Sequence, residues 1–160
     1  MTDKTKDAIT FLKIITQKYD VATANPPFTD SSDFGDELKT FIDTNYKHPL
    51  KFNINLYATF IKRCFELTND NGRIAMIHPY SFMFIKTFED VRKLMIEKTQ
   101  IEILADWGLD RVHIFAGGYA SAPAIYVLNK RQSNTKSLFF QLTNGLQEKA
   151  KRPTFFKALD

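Results

Sequence analysis

Stretches with helical periodicity alternate with short apolar runs along this 160-residue chain. Apolar residues that recur every three or four positions predict helices at about 6–16, 37–46, 53–67 and 88–97. Runs of apolar and β-branched residues predict strands at 21–24, 73–77, 101–105 and 122–128, and an edge strand at 137–142. This alternation is typical of an α/β fold built on a largely parallel sheet.

Three segments carry more detailed expectations. The apolar stripe of the first helix, which includes Ile9 and Leu12, predicts a helix that covers the sheet. Asn-Asp-Asn-Gly at 69–72 predicts a turn, and the predicted strand 73–77 is apolar after Arg73, as expected for a strand buried on both faces. The polar segment 29–36 predicts a mobile surface loop; a solvated connector is the favoured interpretation and a lid is the alternative.

The predicted strand at 21–24 ends at an amide, two prolines and an aromatic ring, which are Asn25, Pro26, Pro27 and Phe28. Neither proline has a backbone N–H, and each restricts φ to about −65° and favours an extended conformation in the residue before it. The loop therefore presents the amide, free carbonyl groups and the ring in a rigid arrangement. That combination suits a planar heterocycle with an amino group, and we identify the loop as the candidate site.

These groups can activate an aromatic amine such as that of adenine, whose lone pair is delocalised into the ring. If the Asn25 side-chain oxygen and the Pro26 carbonyl each accept one N–H, the nitrogen becomes pyramidal and its lone pair points toward an electrophile. Phe28 would stack on the base, a contact worth about 1 to 3 kcal/mol. The alternative is an ordinary turn after a strand, with Phe28 as a core residue.

The composition indicates one globular domain, since 44% of the residues are hydrophobic and 14% aromatic. The net charge of +4 permits a polyanionic partner without requiring one. The single cysteine, Cys64, is expected to be a buried small hydrophobe, and a structural role is favoured for His78; no metal site is predicted. No apolar run approaches the roughly 18 residues of a membrane span, so a cytoplasmic protein is expected.

The loop and several segments after it resemble the amino-group methyltransferases that use S-adenosylmethionine. The fourth motif of that family is Asn, Asp or Ser, then two prolines, then Tyr, Phe or Trp, and it also occurs in enzymes that methylate ribosomal RNA bases or protein glutamine. From about residue 18 to residue 130 the chain is similar to DNA adenine-N6 methyltransferases of restriction–modification and phage-defence systems, and most of all to the PglX type of BREX systems. The segments that carry this likeness are Lys51-Phe52-Asn53, Asn55-Leu56-Tyr57-Ala58-Thr59-Phe60, Asn71-Gly72-Arg73-Ile74-Ala75-Met76-Ile77, Pro79-Tyr80-Ser81-Phe82 and 88–94.

The resemblance implies a partial Rossmann-like class I methyltransferase sheet flanked by helices. The intact sheet of the family has the strand order 3-2-1-4-5-7-6 with strand seven antiparallel, and this chain would hold strands four to seven. Residues 1–131 would form the carboxyl half of the catalytic domain. Residues 132–160 would form a linker, an edge strand and a basic tail toward a further region. The implied cofactor is S-adenosylmethionine and the implied partner is double-stranded DNA with a flipped-out adenine.

The resemblance also assigns roles to residues. The loop 25–28 would be catalytic, and Phe28 and Phe115 would stack on opposite faces of the base. Phe60 would lie near the adenine of the cofactor, and Asn25 would also contact the cofactor. For Phe115 the alternative is a hydrophobic plug, because aromatic residues are commonly buried.

A methyltransferase of this family binds its cofactor through a glycine-rich loop after its first strand and an acidic residue after its second, and nothing before Tyr19 supplies either. We therefore expect a fragment with little activity alone, whose first strand lacks its neighbour and either self-associates or is covered by the first helix. The function expected of the parent is site-specific DNA adenine-N6 methylation. The alternatives are RNA or protein-glutamine methylation, and a non-catalytic DNA-binding or interaction module.

Overall fold

The computed structural model describes residues 2–108, 122–133, 135–142, 155 and 157. Within these ranges the predicted helices and strands are all present, with bounds that differ by a few residues. In chain order they are α1 (Asp3–Thr16), β1 (Tyr19–Ala24), α2 (Asp36–Tyr46), α3 (Leu56–Leu67), β2 (Thr68–Pro79), α4 (Glu89–Lys98), β3 (Gln100–Asp106), β4 (Pro123–Asn129) and β5 (Leu138–Gln141). Short 3-10 turns occupy Ser31–Asp33, Tyr80–Met83 and Lys86–Phe88.

The strands form one mixed sheet in the order β1-β2-β4-β3-β5. β1 runs parallel to β2, β4 is antiparallel to both β2 and β3, and β5 is parallel to β3. The first four strands therefore reproduce the expected order of strands four, five, seven and six, with the antiparallel strand in the expected place. The predicted fold class is confirmed, and β5 is the predicted edge strand.

Helices α3 and α4 pack on one face of the sheet and form a hydrophobic core with it. Tyr57, Ile61 and Cys64 recur every three or four residues along α3, so they share the buried face. From Ile74 to Pro79, β2 alternates between buried and half-buried residues, which means that the described part of the chain covers only one of its faces fully. The second face of the sheet lines an apolar cavity of about 380 Å³, with Ile103 and Ile125 in its wall. Burial of 73–77 on both faces is therefore not found within these ranges.

Helix α1 does not cover the sheet, contrary to the prediction. None of its residues is buried, and the apolar side chains of Ile9, Phe11 and Leu12 are each more than half exposed. Its carboxyl end is attached by a hydrogen bond from Arg63 to the carbonyl of Ile15 (2.7 Å). Periodicity identifies residues that share a face of a helix, but it does not identify the surface that this face meets.

The predicted turn at 69–72 is an excursion inside β2. β1 and β2 stay paired on either side of these residues, which lie opposite the single β1 residue Asp20. Asn69 Nδ2 donates to Asp20 Oδ1 (2.7 Å) and closes the excursion. Gly72 permits it, because a Cβ at this position would lie 2.5 Å from Thr68 Cγ2 and 2.7 Å from the Asp20 carbonyl oxygen.

We expect Gly72→Ala to lower the free energy of unfolding by about 1 to 3 kcal/mol, because the new methyl group would overlap the backbone of β1. Gly35→Ala is the matched control, since only its own chain neighbours would lie within 4 Å of a Cβ at Gly35. That change should cost less than about 1 kcal/mol. Urea unfolding measures both, and equal shifts would contradict the steric explanation.

Candidate active site at the carboxyl edge of the sheet

The loop 25–28 follows β1 at the edge of the sheet where β2 also ends. The two strands pair in parallel with Ala24 opposite Met76, so their carboxyl ends lie at the same edge, and β2 extends three residues further to Pro79. This is the edge at which open α/β sheets bind ligands. Within the loop Asn25 and Pro27 are exposed, Pro26 is buried and Phe28 is half-buried.

The Asn25 side chain faces solvent and is not bonded into the interior. No residue that the structure describes forms a hydrogen bond with its amide. The side-chain oxygen is therefore able to accept from a ligand without first breaking an internal bond. The next residue, Pro26, is buried.

Phe28 packs against the hydrophobic core and keeps part of its surface exposed. Its ring is neither a fully enclosed core residue nor a free surface side chain. Contact with the core limits the movement of the ring, and part of the residue remains accessible to a ligand. Both of the roles considered for Phe28 in the sequence are compatible with this placement.

The segment after the loop is held by the residues that precede α3. The backbone N–H of Leu56 donates to the carbonyl of Thr29 (2.9 Å), and that of Ser31 donates to the carbonyl of Ile54 (3.2 Å). The polar segment predicted to be a mobile loop therefore begins as a paired stretch of chain. Sequence alone did not indicate this pairing, because the two stretches are far apart in the chain.

Asn55 caps α3 and also reaches the loop. Its Oδ1 accepts from the backbone N–H of Tyr57 (3.1 Å), and its Nδ2 donates to Asp30 Oδ1 (2.6 Å) and to the carbonyl of Phe28 (3.4 Å). The prediction of a helix over 53–67 placed Asn55 inside the helix and missed this role. An asparagine directly before an apolar helical pattern is an N-cap signal that could have indicated it.

His78, near the end of β2, is buried in an aromatic cluster. It stacks on Tyr57 with ring centroids 4.5 Å apart and an interplanar angle of 8°. Its Nδ1 lies 3.1 Å from the carbonyl of Pro79, which can only accept, so Nδ1 carries the proton. Nε2 therefore accepts from the hydroxyl of Tyr126 at 2.8 Å. These contacts confirm a structural role for His78.

Burial shifts the pKa values of the ionisable rings in this cluster so that the uncharged form of each ring is favoured. It lowers the pKa of His78 to about 4, although the hydrogen bond to Pro79 acts in the opposite direction. Burial also raises the pKa of Tyr126 and that of Tyr57 above the ordinary tyrosine value. All three rings are therefore uncharged near pH 7, and the cluster acts as a rigid support behind the carboxyl edge.

The resemblance also assigned roles to Phe60 and Phe115, and the structure describes only the first of them. Phe60 lies on α3 and is 38% exposed, so it is not one of the core residues of that helix. Phe115 lies outside the described residues.

Across the described ranges, no group of three His, Cys, Asp or Glu side chains is arranged to hold a metal ion. Within the same ranges, no helix has the length and apolar character needed to cross a bilayer.

Comparison with known families identifies the chain. Residues 2–115 match the profile of the Eco57I restriction-modification methylases. The chain belongs to this Eco57I family. The match confirms the resemblance to restriction–modification methyltransferases that the motifs indicated.

Two curated relatives of this Eco57I-family chain are adenine-specific methyltransferases. It is 25% identical over 138 residues to BrxX of Escherichia coli O9:H4 (strain HS), a match that covers 86% of this chain and 11% of the relative. It is 24% identical over 147 residues to PglX of Lacticaseibacillus casei (strain Zhang), with 92% of this chain and 12% of the relative covered. The chain thus spans about a tenth of the length of these relatives.

Two solved structures share the fold of this Eco57I-family chain. One, from Listeria monocytogenes, is described as a class I S-adenosylmethionine-dependent methyltransferase; its TM-score is 0.61 at 16% identity, over 88% of this chain and 42% of that chain. The other is the Type ISP restriction-modification enzyme LlaGI with a DNA substrate mimic; its TM-score is 0.66 at 17% identity, over 95% of this chain and 17% of that chain. Both matches agree with a class I methyltransferase sheet.

The stability of the chain is expected to fall as the pH is lowered from about 6.5 to about 4, because of His78. An unfolded histidine has a pKa of about 6.5, whereas the folded state holds the pKa of His78 at about 4. The unfolded state therefore binds more protons in this window, and the full loss is about 3 kcal/mol. Urea unfolding at a series of pH values measures it.

His78→Gln should remove this component of the pH dependence, whatever its own effect on stability. His48→Gln changes an exposed histidine and should retain it. The pH dependence of the free energy of unfolding is compared between each variant and the wild type. The comparison separates the contribution of the histidine from that of the carboxylates. If all three proteins lose stability in parallel, His78 is not the source.

Proposed function

We propose that this site methylates the N6 amine of adenine in DNA, using S-adenosylmethionine, in a restriction–modification or phage-defence system. The observation that carries the proposal is the exposed Asn25 amide directly after β1, in a chain of the Eco57I methylase family. The relatives BrxX and PglX are adenine-specific methyltransferases. LlaGI, which shares the fold, was determined with a DNA substrate mimic. These descriptions support adenine in DNA as the substrate.

The loop supplies two acceptors for one amine. Asn25 Oδ1 and the carbonyl oxygen of Pro26 each accept a hydrogen bond from one N–H of the amine, which favours the pyramidal nitrogen of the transition state over the flat ground state. The rigid proline backbone holds the acceptors in place, so little reorganisation is needed during the reaction. A general base is not required, because the amine becomes acidic once it is methylated and loses a proton to water.

Phe28 and Phe115 hold the base in this proposal. The exposed part of the Phe28 ring stacks on one face of the adenine, and Phe115 stacks on the other. A base can enter such a clamp only after it has left the duplex, which costs a few kcal/mol of unstacking. Stacking on an aromatic ring returns about 1 to 3 kcal/mol.

The described residues fit S-adenosylmethionine in part. Phe60 offers an exposed aromatic ring for the adenine of the cofactor, and the Asn25 amide is accessible at the carboxyl edge. When bound, S-adenosylmethionine supplies an electrophilic methyl group on a sulfonium sulfur. The sequence contains no Gly-x-Gly-x-x-Gly loop, so we propose that the main cofactor contacts come from residues other than those of this chain. A protein that modifies cellular DNA in this way acts in the cytoplasm.

Asn25→Ala is expected to lower kcat for methyl transfer to DNA by about 100- to 1000-fold, the usual effect of removing one preorganised hydrogen-bond partner. Stability should change by less than about 0.5 kcal/mol, because the side chain is exposed. The assay follows tritium from labelled S-adenosylmethionine into an adenine-containing duplex, with the longest protein that contains this chain. Asn71→Ala alters an exposed asparagine near the amino end of β2 and should leave kcat unchanged.

The same assay separates the alternatives. Transfer to RNA or to a glutamine-containing peptide, and not to DNA, would replace the proposed substrate. No transfer to any of them, with no calorimetric signal for S-adenosylmethionine, would support a non-catalytic module. Full activity of Asn25→Ala would contradict the role of the amide.

Self-association through the β1 edge is a separate proposal. In the part of the sheet that the structure describes, β1 pairs with β2 on one side only, and Val21 on β1 is 60% exposed. An unpaired strand edge can pair with a second copy, and a charged side chain opposes this. Val21→Lys should therefore convert a dimer to a monomer in sedimentation velocity. Ile96→Lys, at a 66% exposed position on α4, should not; a monomeric wild type would reject the proposal.

A further inference from the structure

Asn55 is buried at the junction between the loop and α3, with 4% of its surface exposed. Its neighbours determine the orientation of its amide. The backbone N–H of Tyr57 requires an acceptor, so Oδ1 faces α3. The Asp30 carboxylate and the Phe28 carbonyl require a donor, so Nδ2 faces the loop. Rotation of the amide by half a turn would break all of these bonds.

We propose that Asn55 is a positioning residue that holds the loop 25–28 against the start of α3. Capping a helix requires only a side-chain oxygen, so the bonds from Nδ2 serve the loop. One ends on the carbonyl of Phe28, the last residue of the loop, and the other on Asp30. The consequence for catalysis rests on the proposed adenine methylation, whereas the consequence for loop order does not.

Helix α3 is a suitable anchor because its first turn is fixed in the core. Tyr57 is 1% exposed and stacks on both His78 and Phe88. The backbone bonds between 29–31 and 54–56 reinforce the side-chain bonds of Asn55. Acceptors that must meet a pyramidal nitrogen tolerate little displacement, since an error of about 1 Å can cost on the order of 100-fold in rate.

An amide satisfies both sides of this junction, and a carboxylate does not. Asn55→Asp keeps the acceptor for the Tyr57 N–H, but it places a second negative charge against Asp30 and leaves the Phe28 carbonyl without its donor. The exchanged pair, Asn55→Asp with Asp30→Asn, restores one N–H···O bond in the reverse direction and removes the like charges. Recovery by this pair is not expected if Asn55 is only a helix cap.

The test compares Asn55→Asp, the exchanged pair and a matched control. Asn53→Asp is the control, because Asn53 Nδ2 donates to Asp43 Oδ1 at the same distance of 2.6 Å in a contact that does not involve the loop. The first measurement is hydrogen–deuterium exchange of the Ser31 and Leu56 amides, which pair the two segments. The second is kcat and KM for methyl transfer in the longest protein that contains the chain.

We expect Asn55→Asp to accelerate exchange of both amides by at least about 10-fold and to lower kcat by about 100-fold, with KM for S-adenosylmethionine within about 3-fold. The exchanged pair should recover most of both losses, and Asn53→Asp should show neither. If Asn55→Asp does not fold, Asp30→Ala provides the same test, because it removes one partner at an exposed position and leaves the cap intact.

Unchanged exchange and kcat in Asn55→Asp, or no recovery in the exchanged pair, would overturn the proposal. In the Asp30→Ala form of the test, wild-type exchange of both amides would overturn it. Failure of the proposed function is distinguishable: a wild type that methylates no DNA rejects adenine methylation, while the exchange measurements still decide whether Asn55 orders the loop.

Discussion

The parallel pairing of β1 with β2 is the constraint on which the rest of the structure depends. Its register, from Val21 opposite Arg73 to Ala24 opposite Met76, brings two strand ends to one edge of the sheet. The loop 25–28 leaves the sheet at that edge. The excursion at Gly72 absorbs the extra residues of β2 at the opposite end, so the register near the site is regular. A shift of one residue would turn the side chains of β1 to the other face and move the loop.

Core contacts fix the position of helix α3 relative to the sheet. His78 on β2 accepts a hydrogen bond from Tyr126 on β4, and it stacks on Tyr57 of α3. The cluster therefore ties two antiparallel strands and a helix together near the carboxyl end of β2. Because its members are buried and uncharged near pH 7, the cluster has a structural role. The candidate site lies at the same edge of the sheet, and its residues Asn25 and Pro27 are exposed.

The candidate site is assembled from segments that are separate in the chain. β1 supplies the loop, and the residues before α3 bind the stretch that follows it through backbone hydrogen bonds and through Asn55. A loop with two prolines is already stiff. Its position relative to the sheet, however, depends on these contacts. Membership of the Eco57I family relates the arrangement to methyl transfer, and the proposed function assigns the exposed Asn25 amide the part of a hydrogen-bond acceptor.

The sequence by itself determined the approximate positions of the helices and strands, the stiff loop from Asn25 to Phe28 and, through resemblance, the strand order. These features depend on local chemistry, namely periodicity, proline geometry and a short motif. Only the tertiary structure decided that α1 stays exposed, that 69–72 lies inside β2, and that Asn55 reaches Asp30 across 25 positions of the chain. Contacts of this kind depend on which distant segments the sheet brings together, and neither periodicity nor a motif carries that information.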